Sequence, residues 1–343
     1  MKLTRVGVDL AKSVFQVHGV DRADRPVWCK RLKREKWIAE LERNLEPGGT
    51  VGMEACGGAH HWARVLQAKG YVVKLIAPQF VKPYVKTNKH DAADAEAICE
   101  AMSRPSMRFV AVKTVEQQDM QAVHRIRQSL IKERTAKANQ IRGLVYERGV
   151  VAPREISALR RAVPEWLEDA TNGLTPRLRA LVASLYDDLR RLDERVGELD
   201  DELVAIAREH EPVRRLMQLR GVGTVTASAL YSLVGDARQY KNGREMAVAL
   251  GLTPRQHSSG GREKLLGISK RGDPYVRSMM IHGARAALRV AGAKEDRVSR
   301  WAMALAARSH INVATVALAN KMARVAWAML RHGTEYEPDR AAA

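Results

Sequence analysis

Along the first hundred positions apolar residues fall in short runs, and the spacing within and between those runs switches between two periods. Segments 5–9, 14–20 and 26–31 read as short strands, with Gly19 and Asp24 near the connections, so a three-stranded meander is expected. The pattern then lengthens to that of a helix over 36–45. It passes through Pro47-Gly48-Gly49 into a strand at 50–53 and repeats as a helix at 60–68 and a strand at 71–76.

A meander followed by two strand units with helical crossovers is the element order of an RNase H-like α/β fold. Farther on the chain reads as helical. The stretch 115–148 is basic: Arg125, Arg127, Lys132, Arg134, Lys137, Arg142 and Arg148 face, from 125 onward, only Glu133 and Glu147, which makes it a candidate phosphate-contacting surface. Past Pro176, Leu178, Leu185, Leu192, Leu199 and Ile206 recur every seven residues, interleaved with Val182, Leu189, Val196 and Leu203. Such heptads make either a coiled coil between two chains or a hairpin folded back on the basic helix.

A third region begins near 212. Gly221 and Gly223, in Leu219-Arg220-Gly221-Val222-Gly223, precede an apolar stretch at 225–234. Two glycines between short helices present amide groups in the manner of a helix-hairpin-helix phosphate-binding turn, or simply end one helix and start the next. Helices are expected at 275–291 and 312–331. The fold class is therefore α/β plus α: an RNase H-like segment at 1–112, a basic helix and coiled-coil region at 113–211, and a mostly helical segment at 212–343.

Composition narrows the partner. The 343 residues are 45% hydrophobic, enough for real cores, and carry 58 Lys and Arg against 39 Asp and Glu, a net charge of +19. That balance suits a polyanion better than a small metabolite. Aromatics are only 5%, which agrees with backbone binding more than base stacking. Cys29, Cys56 and Cys99 are odd in number and widely spaced, so neither a disulfide framework nor a zinc ribbon is indicated. The charged N-terminus lacks the apolar core of a signal peptide, and no run approaches a membrane span; a cytoplasmic, nucleoid-associated protein is expected.

Four carboxylates stand where a divalent metal would need them. Asp9 ends the first strand and Glu54 a later one, just before Ala55-Cys56-Gly57-Gly58. Either alone reads equally well as a turn former. Asp91 and Asp94 fall with Ile98 and Met102 at helical spacing, on a stripe expected to face the core, while Glu96 and Glu100 fall on the other side. Two inward aspartates cost desolvation and repulsion unless a cation offsets them; helix capping and the dipole accommodate one comfortably. Hard oxygen ligands suit Mg²⁺ or Mn²⁺. His60, His61 and His90 nearby read as surface or structural residues.

The segment Gly251-Leu252-Thr253-Pro254-Arg255-Gln256-His257-Ser258-Ser259-Gly260-Gly261-Arg262 reads as a polar, glycine-rich loop between helices. Arg255, Arg262, Lys264, Lys270, Arg271 and Arg277 could hold a phosphate beside an exposed hydroxyl, although serine is commonplace in such loops.

These segments together carry a resemblance. Gly7-Val8-Asp9-Leu10-Ala11-Lys12, Met53-Glu54-Ala55, Lys89-His90-Asp91-Ala92-Ala93-Asp94-Ala95, the Gly221-Val222-Gly223 turn, and Gly251-Leu252-Thr253-Pro254 through Ser259-Gly260 recur in order from end to end. In them the chain resembles the DEDD transposases of bacterial insertion sequences, described as bridge-RNA-guided recombinases. The resemblance implies a RuvC-like domain, a coiled-coil middle and a C-terminal transposase domain. It makes Asp9, Glu54, Asp91 and Asp94 the metal ligands and Ser259 the nucleophile of a covalent phosphoserine link to DNA. A serine directly before glycine selects Ser259 over Ser258. The implied partners are donor and target double-stranded DNA, a structured guide RNA, and further copies of the chain in a homo-oligomer.

Three rival readings remain open from the sequence: a hydrolytic RuvC-type nuclease or junction resolvase that uses the carboxylates without the serine, an actin- or sugar-kinase-like ATPase, and a noncatalytic architectural protein. No second glycine-rich nucleotide loop supports the ATPase.

Overall fold

Strand β1 (Arg5–Leu10) alternates, turning Val6 and Val8 to one face of a sheet and Arg5, Gly7 and Asp9 to the other. The computed structural model describes residues 3–86 and 90–338 and divides into two units, Met1–Thr114 and Val115–Ala343. In the first, β1 pairs antiparallel with β2 (Val14–Val20), which pairs antiparallel with β3 (Pro26–Lys33). On its other side β1 runs parallel to β4 (Thr50–Glu54), β4 runs parallel to β5 (Val72–Ile76), and a two-residue strand β6 (Phe109–Val110) pairs antiparallel with β5. The order is β3-β2-β1-β4-β5-β6. Meander and crossover strands lie where the sequence pattern puts them; β6 is too short to leave a periodic signal.

Both faces of this sheet are covered. Val6, Val8, Phe15, Val17, Val51, Met53 and Leu75 pack beneath α1 (Trp37–Asn44) and α2 (Ala59–Ala68). Phe15, Trp37 and Trp62 meet edge to face, their ring centroids 5.1 to 5.5 Å apart. On the opposite face α4 (Asp91–Ala101) buries Ile98, and Met102 just past its end, against Ile76 and Val81 of the short helix α3 (Pro78–Val81). Each such side chain contributes roughly 1.5–3 kcal/mol when fully buried.

Helix α4 sits directly on the sheet because Gly7 and Gly52, register partners on β1 and β4, leave it room. A Cβ at Gly7 would overlap the Ala95 carbonyl and lie 2.6 Å from the Cys99 nitrogen; one at Gly52 would lie 2.8 Å from the Met102 sulfur. The first obstacle is helix backbone and the second a flexible side chain.

In the second unit α5 (Val115–Tyr146) and α7 (Pro176–Glu209) form an antiparallel pair, with α6 (Ile156–Glu168) between them in sequence. Their direction is fixed by ion pairs that climb one helix while descending the other: Arg127–Asp200 at 2.6 Å, Arg134–Asp193 at 3.1 Å and Lys137–Asp188 at 3.2 Å. Val182, Leu189, Val196 and Leu203 form the buried seam of α7, and Ala138, Ile141 and Val145 of α5 meet it together with Leu159 and Val163. The heptad helix folds back on the basic helix within the chain, one of the two outcomes the heptads left open.

The rest is a helical cluster of α8 (Glu211–Leu216), α9 (Thr224–Val234), α10 (Gly243–Ala249), α11 (Pro274–Val290), α12 (Arg297–Arg308) and α13 (Ile311–His332). Leu230, Met246, Met280, Leu318 and Ala323 lie at its core. This cluster and the α5–α7 pair belong to the same unit, Val115–Ala343.

One expectation is corrected. The segment 251–262 is not an open loop: between α10 and α11 the chain forms an exposed antiparallel ribbon of β7 (Pro254–Gln256) and β8 (Leu265–Ile268). Strands this short carry too few residues for alternation to show.

Candidate catalytic carboxylates and serine ribbon

The register Val8↔Met53 places Asp9 and Glu54 at the next step of neighbouring parallel strands. Strand alternation puts both on the face of Gly7 and Gly52, under α4. Burial, and then the charges of Glu54 and Asp9, push the Cys56 thiol above its ordinary value, so both carboxylates act on one neighbour. Helix α4 runs against β1. Arg5, at the strand's start, is coupled to Cys99, and Gly7 lies against Ala95 and Cys99. Moving along β1 to Asp9 therefore leads along α4 toward its first turn, where Asp94 and Asp91 stand.

That turn has its own cap. The His90 Nδ1 accepts from the Ala92 amide at 3.2 Å, so neither aspartate is needed for capping. Ile98 and Met102 are buried as the stripe requires, and Asp94 is half-buried, but Asp91 is exposed: the stripe leaves the core at the helix start. On the other side, Glu96 and Glu100 each pair with Lys86 at 3.0 Å. His60 is structural, its Nδ1 accepting from the Lys113 amide at 3.1 Å. Lys89 of the matching motif lies outside the described residues.

The four carboxylates are thus a strand-end pair and a helix-turn pair. Their donor chemistry fits a hard divalent cation. Among the described residues, no three His, Cys, Asp or Glu side chains gather closely enough to enclose one.

Ser259 sits at the tip of the ribbon. It bridges to Arg262, whose amide donates to the Ser259 carbonyl at 3.1 Å, and Gly260 and Gly261 between them both have positive φ. Two left-handed residues in a two-residue connection make the tight hairpin turn matched to strand twist. Gly-Gly beside a polar run was its signal in the sequence. Ser259 and Arg262 are cross-strand partners with side chains on one ribbon face. Ser258 points to the other, where its hydroxyl accepts from Gln256 Nε2 at 3.0 Å. Both serines are exposed.

The basic residues divide into engaged and open groups. Arg127, Arg134 and Lys137 are matched to aspartates of α7, and Arg142 donates to the Pro153 and Arg154 carbonyls. Arg277 donates to the Arg271 carbonyl at 2.9 Å. Arg125, Arg255, Arg262, Lys270 and Arg271 are exposed. Gly221, at φ +84°, packs against Gly283 of α11 so tightly that a Cβ on either would overlap the other's carbonyl, which gives it a packing role. Gly223 is exposed at the start of α9. Arg220, not singled out in the sequence, bonds Asp296 at 2.7 Å and Ser299 at 2.5 Å.

The chain is similar to known proteins along most of its length. Residues 213–299 match the family described as "Transposase IS116/IS110/IS902 family", and residues 6–147 match a DEDD family of the IS110 type described as "Transposase". The chain is 49% identical to a "Probable family 20 transposase" of Pseudomonas aeruginosa, over 98% of this chain and 100% of that protein. It is 46% identical to the "Transposase for insertion sequence element IS1111A" of Coxiella burnetii, over 96% and 90% of the two chains. It is 40% identical to the "Transposase for insertion sequence element IS1328" of Yersinia enterocolitica, over 97% and 98%.

Proposed function

Because the chain belongs to the IS116/IS110/IS902 family of insertion-sequence transposases, enzymes that act on DNA, we propose that it exchanges DNA strands through a covalent link at Ser259, assisted by divalent metal at Asp9, Glu54, Asp91 and Asp94. The observation that carries this reading is Ser259 at the tip of an exposed basic ribbon with Arg262 as its cross-strand partner.

In the step proposed, the Ser259 hydroxyl loses its proton as its oxygen forms a bond to phosphorus. The phosphorus–oxygen bond of the strand breaks, and the departing 3′ oxygen takes up a proton. Attack by another strand's hydroxyl reverses the exchange and frees the serine. The phosphoester bond is conserved throughout, so resealing draws on no external energy source. Arg262, Arg255 and Lys264 stand on the ribbon to hold the phosphate and meet its developing charge. A bound divalent metal would supply Lewis-acid polarisation of that phosphate.

The sheet order and the α4 packing support an RNase H-like, RuvC-type reading of the first unit. The turn at Gly221 and Gly223 favours close packing of α9 on α11 over a phosphate-binding hairpin, leaving the Gly223 amide region as the part open to DNA. The charge of +19 and the open cations Arg125, Lys270 and Arg271 support nucleic-acid backbone contacts. With sequence choice delegated to a structured guide RNA, the protein reads shape and backbone, and several copies of the chain assemble on the two DNA partners.

Paired substitutions test the reading. Ser259→Ala and Asp94→Asn should each abolish strand transfer while retaining duplex binding. Cleavage that survives Ser259→Ala but not Asp94→Asn would favour hydrolysis at the carboxylates alone. Sequencing RNA that co-purifies with the protein from its host tests the guide: one structured RNA encoded beside the gene is expected, and bulk cellular RNA alone would contradict it.

A further inference from the structure

His124 lies inside the second unit, only 3% exposed, on the side of α5 that packs against α9. Its Nε2 is 3.0 Å from the Ser228 hydroxyl of α9 and its Nδ1 is 3.2 Å from the Tyr275 hydroxyl of α11. The bonding directions can be assigned. Ser228 gives its proton to the Thr224 carbonyl at 2.6 Å, so toward His124 it accepts and Nε2 carries the hydrogen. Nδ1 is then an acceptor, and Tyr275 donates to it. The Tyr275 oxygen in turn is hydrogen-bonded to Arg127, which is held by Asp200 of α7 at 2.6 Å. Burial, reinforced by Arg127, holds the His124 pKa to about 4, in keeping with a neutral ring.

One donor-to-acceptor chain therefore joins four helices, and its Tyr275 end stands at the root of the serine ribbon. After β8, Ser269 donates to the Thr253 carbonyl at 2.8 Å and Lys270 to Gly251 at 3.2 Å, closing the ribbon's base. Gly272 lies against the Ala249 carbonyl where no Cβ fits. Asp273 then caps α11 by accepting from Tyr275 and Val276 at 2.8 and 3.0 Å. The chain from ribbon to Tyr275 has little freedom of its own, so what holds Tyr275 also aims the ribbon.

We propose that His124 and Tyr275 are positioning residues for strand transfer: through the Ser228–His124–Tyr275–Arg127–Asp200 chain they lock the root of the Ser259 ribbon to the α5–α7 helical pair. The catalytic consequence rests on Ser259 being the nucleophile; the mechanical coupling does not.

Hydrogen exchange of the full-length protein, read beside serine–DNA adduct yield, tests it. Tyr275→Phe keeps the ring and removes the donor. His124→Gln places an amide near Nε2, keeping the Ser228 bond and losing Tyr275, whereas His124→Asn places an oxygen near Nδ1 and keeps Tyr275. We expect Tyr275→Phe and His124→Gln to speed exchange of the His257 and Ser269 amides about tenfold or more and to lower adduct yield by about 10- to 100-fold, since small misplacement of a reacting group costs that much. His124→Asn should restore both, and duplex affinity should stay within about twofold in all three variants. Ribbon exchange unchanged in Tyr275→Phe and His124→Gln would overturn the coupling, as would equal loosening by His124→Asn, which would mark a general packing defect. An adduct that persists in Ser259→Ala would instead refute the nucleophile while leaving the exchange result to judge the coupling.

Discussion

Ser259 and Arg262 are partners across a two-residue Gly260-Gly261 turn, so a hydroxyl and a guanidinium share one face of an exposed ribbon. If Arg262 meets the charge that grows on phosphate during attack, Arg262→Gln should slow adduct formation by about 10²–10³-fold, the range for loss of one transition-state donor. Duplex affinity should fall only slightly, because the neighbouring cations remain. Single-turnover adduct kinetics beside gel-shift titration check both.

Gly7 and Gly52 let α4 approach, against different obstacles. Gly7→Ala meets helix backbone and should destabilise the first unit by about 3 kcal/mol or more, the upper range for overpacking. Gly52→Ala meets the Met102 sulfur, which can turn aside, and should cost about 1 kcal/mol. Urea midpoints of the two variants give the order. Gly7→Ala should also impair metal-dependent activity, since it displaces the helix that carries Asp91 and Asp94.

The helix α5 cations should behave as two classes. Arg127→Gln removes the partner of Asp200 and Tyr275 and should cost about 1–2 kcal/mol of stability with little change in DNA affinity. Arg125→Gln, altering an exposed cation, should leave stability within about 0.5 kcal/mol and reduce the salt dependence of DNA binding by about one counterion. Melting curves and binding at several salt concentrations separate them.

How much of this could be read from the chain depends on the length of the elements. The sheet strands and the long helices were legible because five or more residues repeat a period: β2 and α7 start and end where alternation and heptads do. Asp9, Glu54, Asp91 and Asp94 were legible as strand-end and helix-start carboxylates. Whether Asp91 faced the core was not, since that depends on where α4 overhangs the sheet. The pairing of Arg127, Arg134 and Lys137 with aspartates was not legible, because those aspartates lie far along the chain on α7. His124 gave no signal at all, since its partners Ser228 and Tyr275 come together only through packing of α5, α9 and α11.

Acid should weaken the fold over a defined window. Burial holds His60 near pKa 4, helped by Lys113 and Arg64, and holds His124 near 4, helped by Arg127, against an ordinary value of 6.5. The unfolded chain binds these protons first, so the stability they contribute is complete above about pH 6.5, falls as pH drops toward 4, and changes no further below. For His124 the full effect is on the order of 3 kcal/mol. Denaturant midpoints measured from pH 7 to 4 should decline in the wild type and decline less in His124→Asn.

The most direct test of the account is to trap the protein–DNA intermediate: incubate the protein with its guide RNA, cognate DNA and Mg²⁺, denature in detergent, digest, and locate any phosphodiester-linked peptide by mass spectrometry. The account predicts a metal-dependent adduct on Ser259, absent from Ser259→Ala and Asp94→Asn proteins. Strand-transfer products formed by Ser259→Ala, or an adduct carried by Ser258, would contradict it.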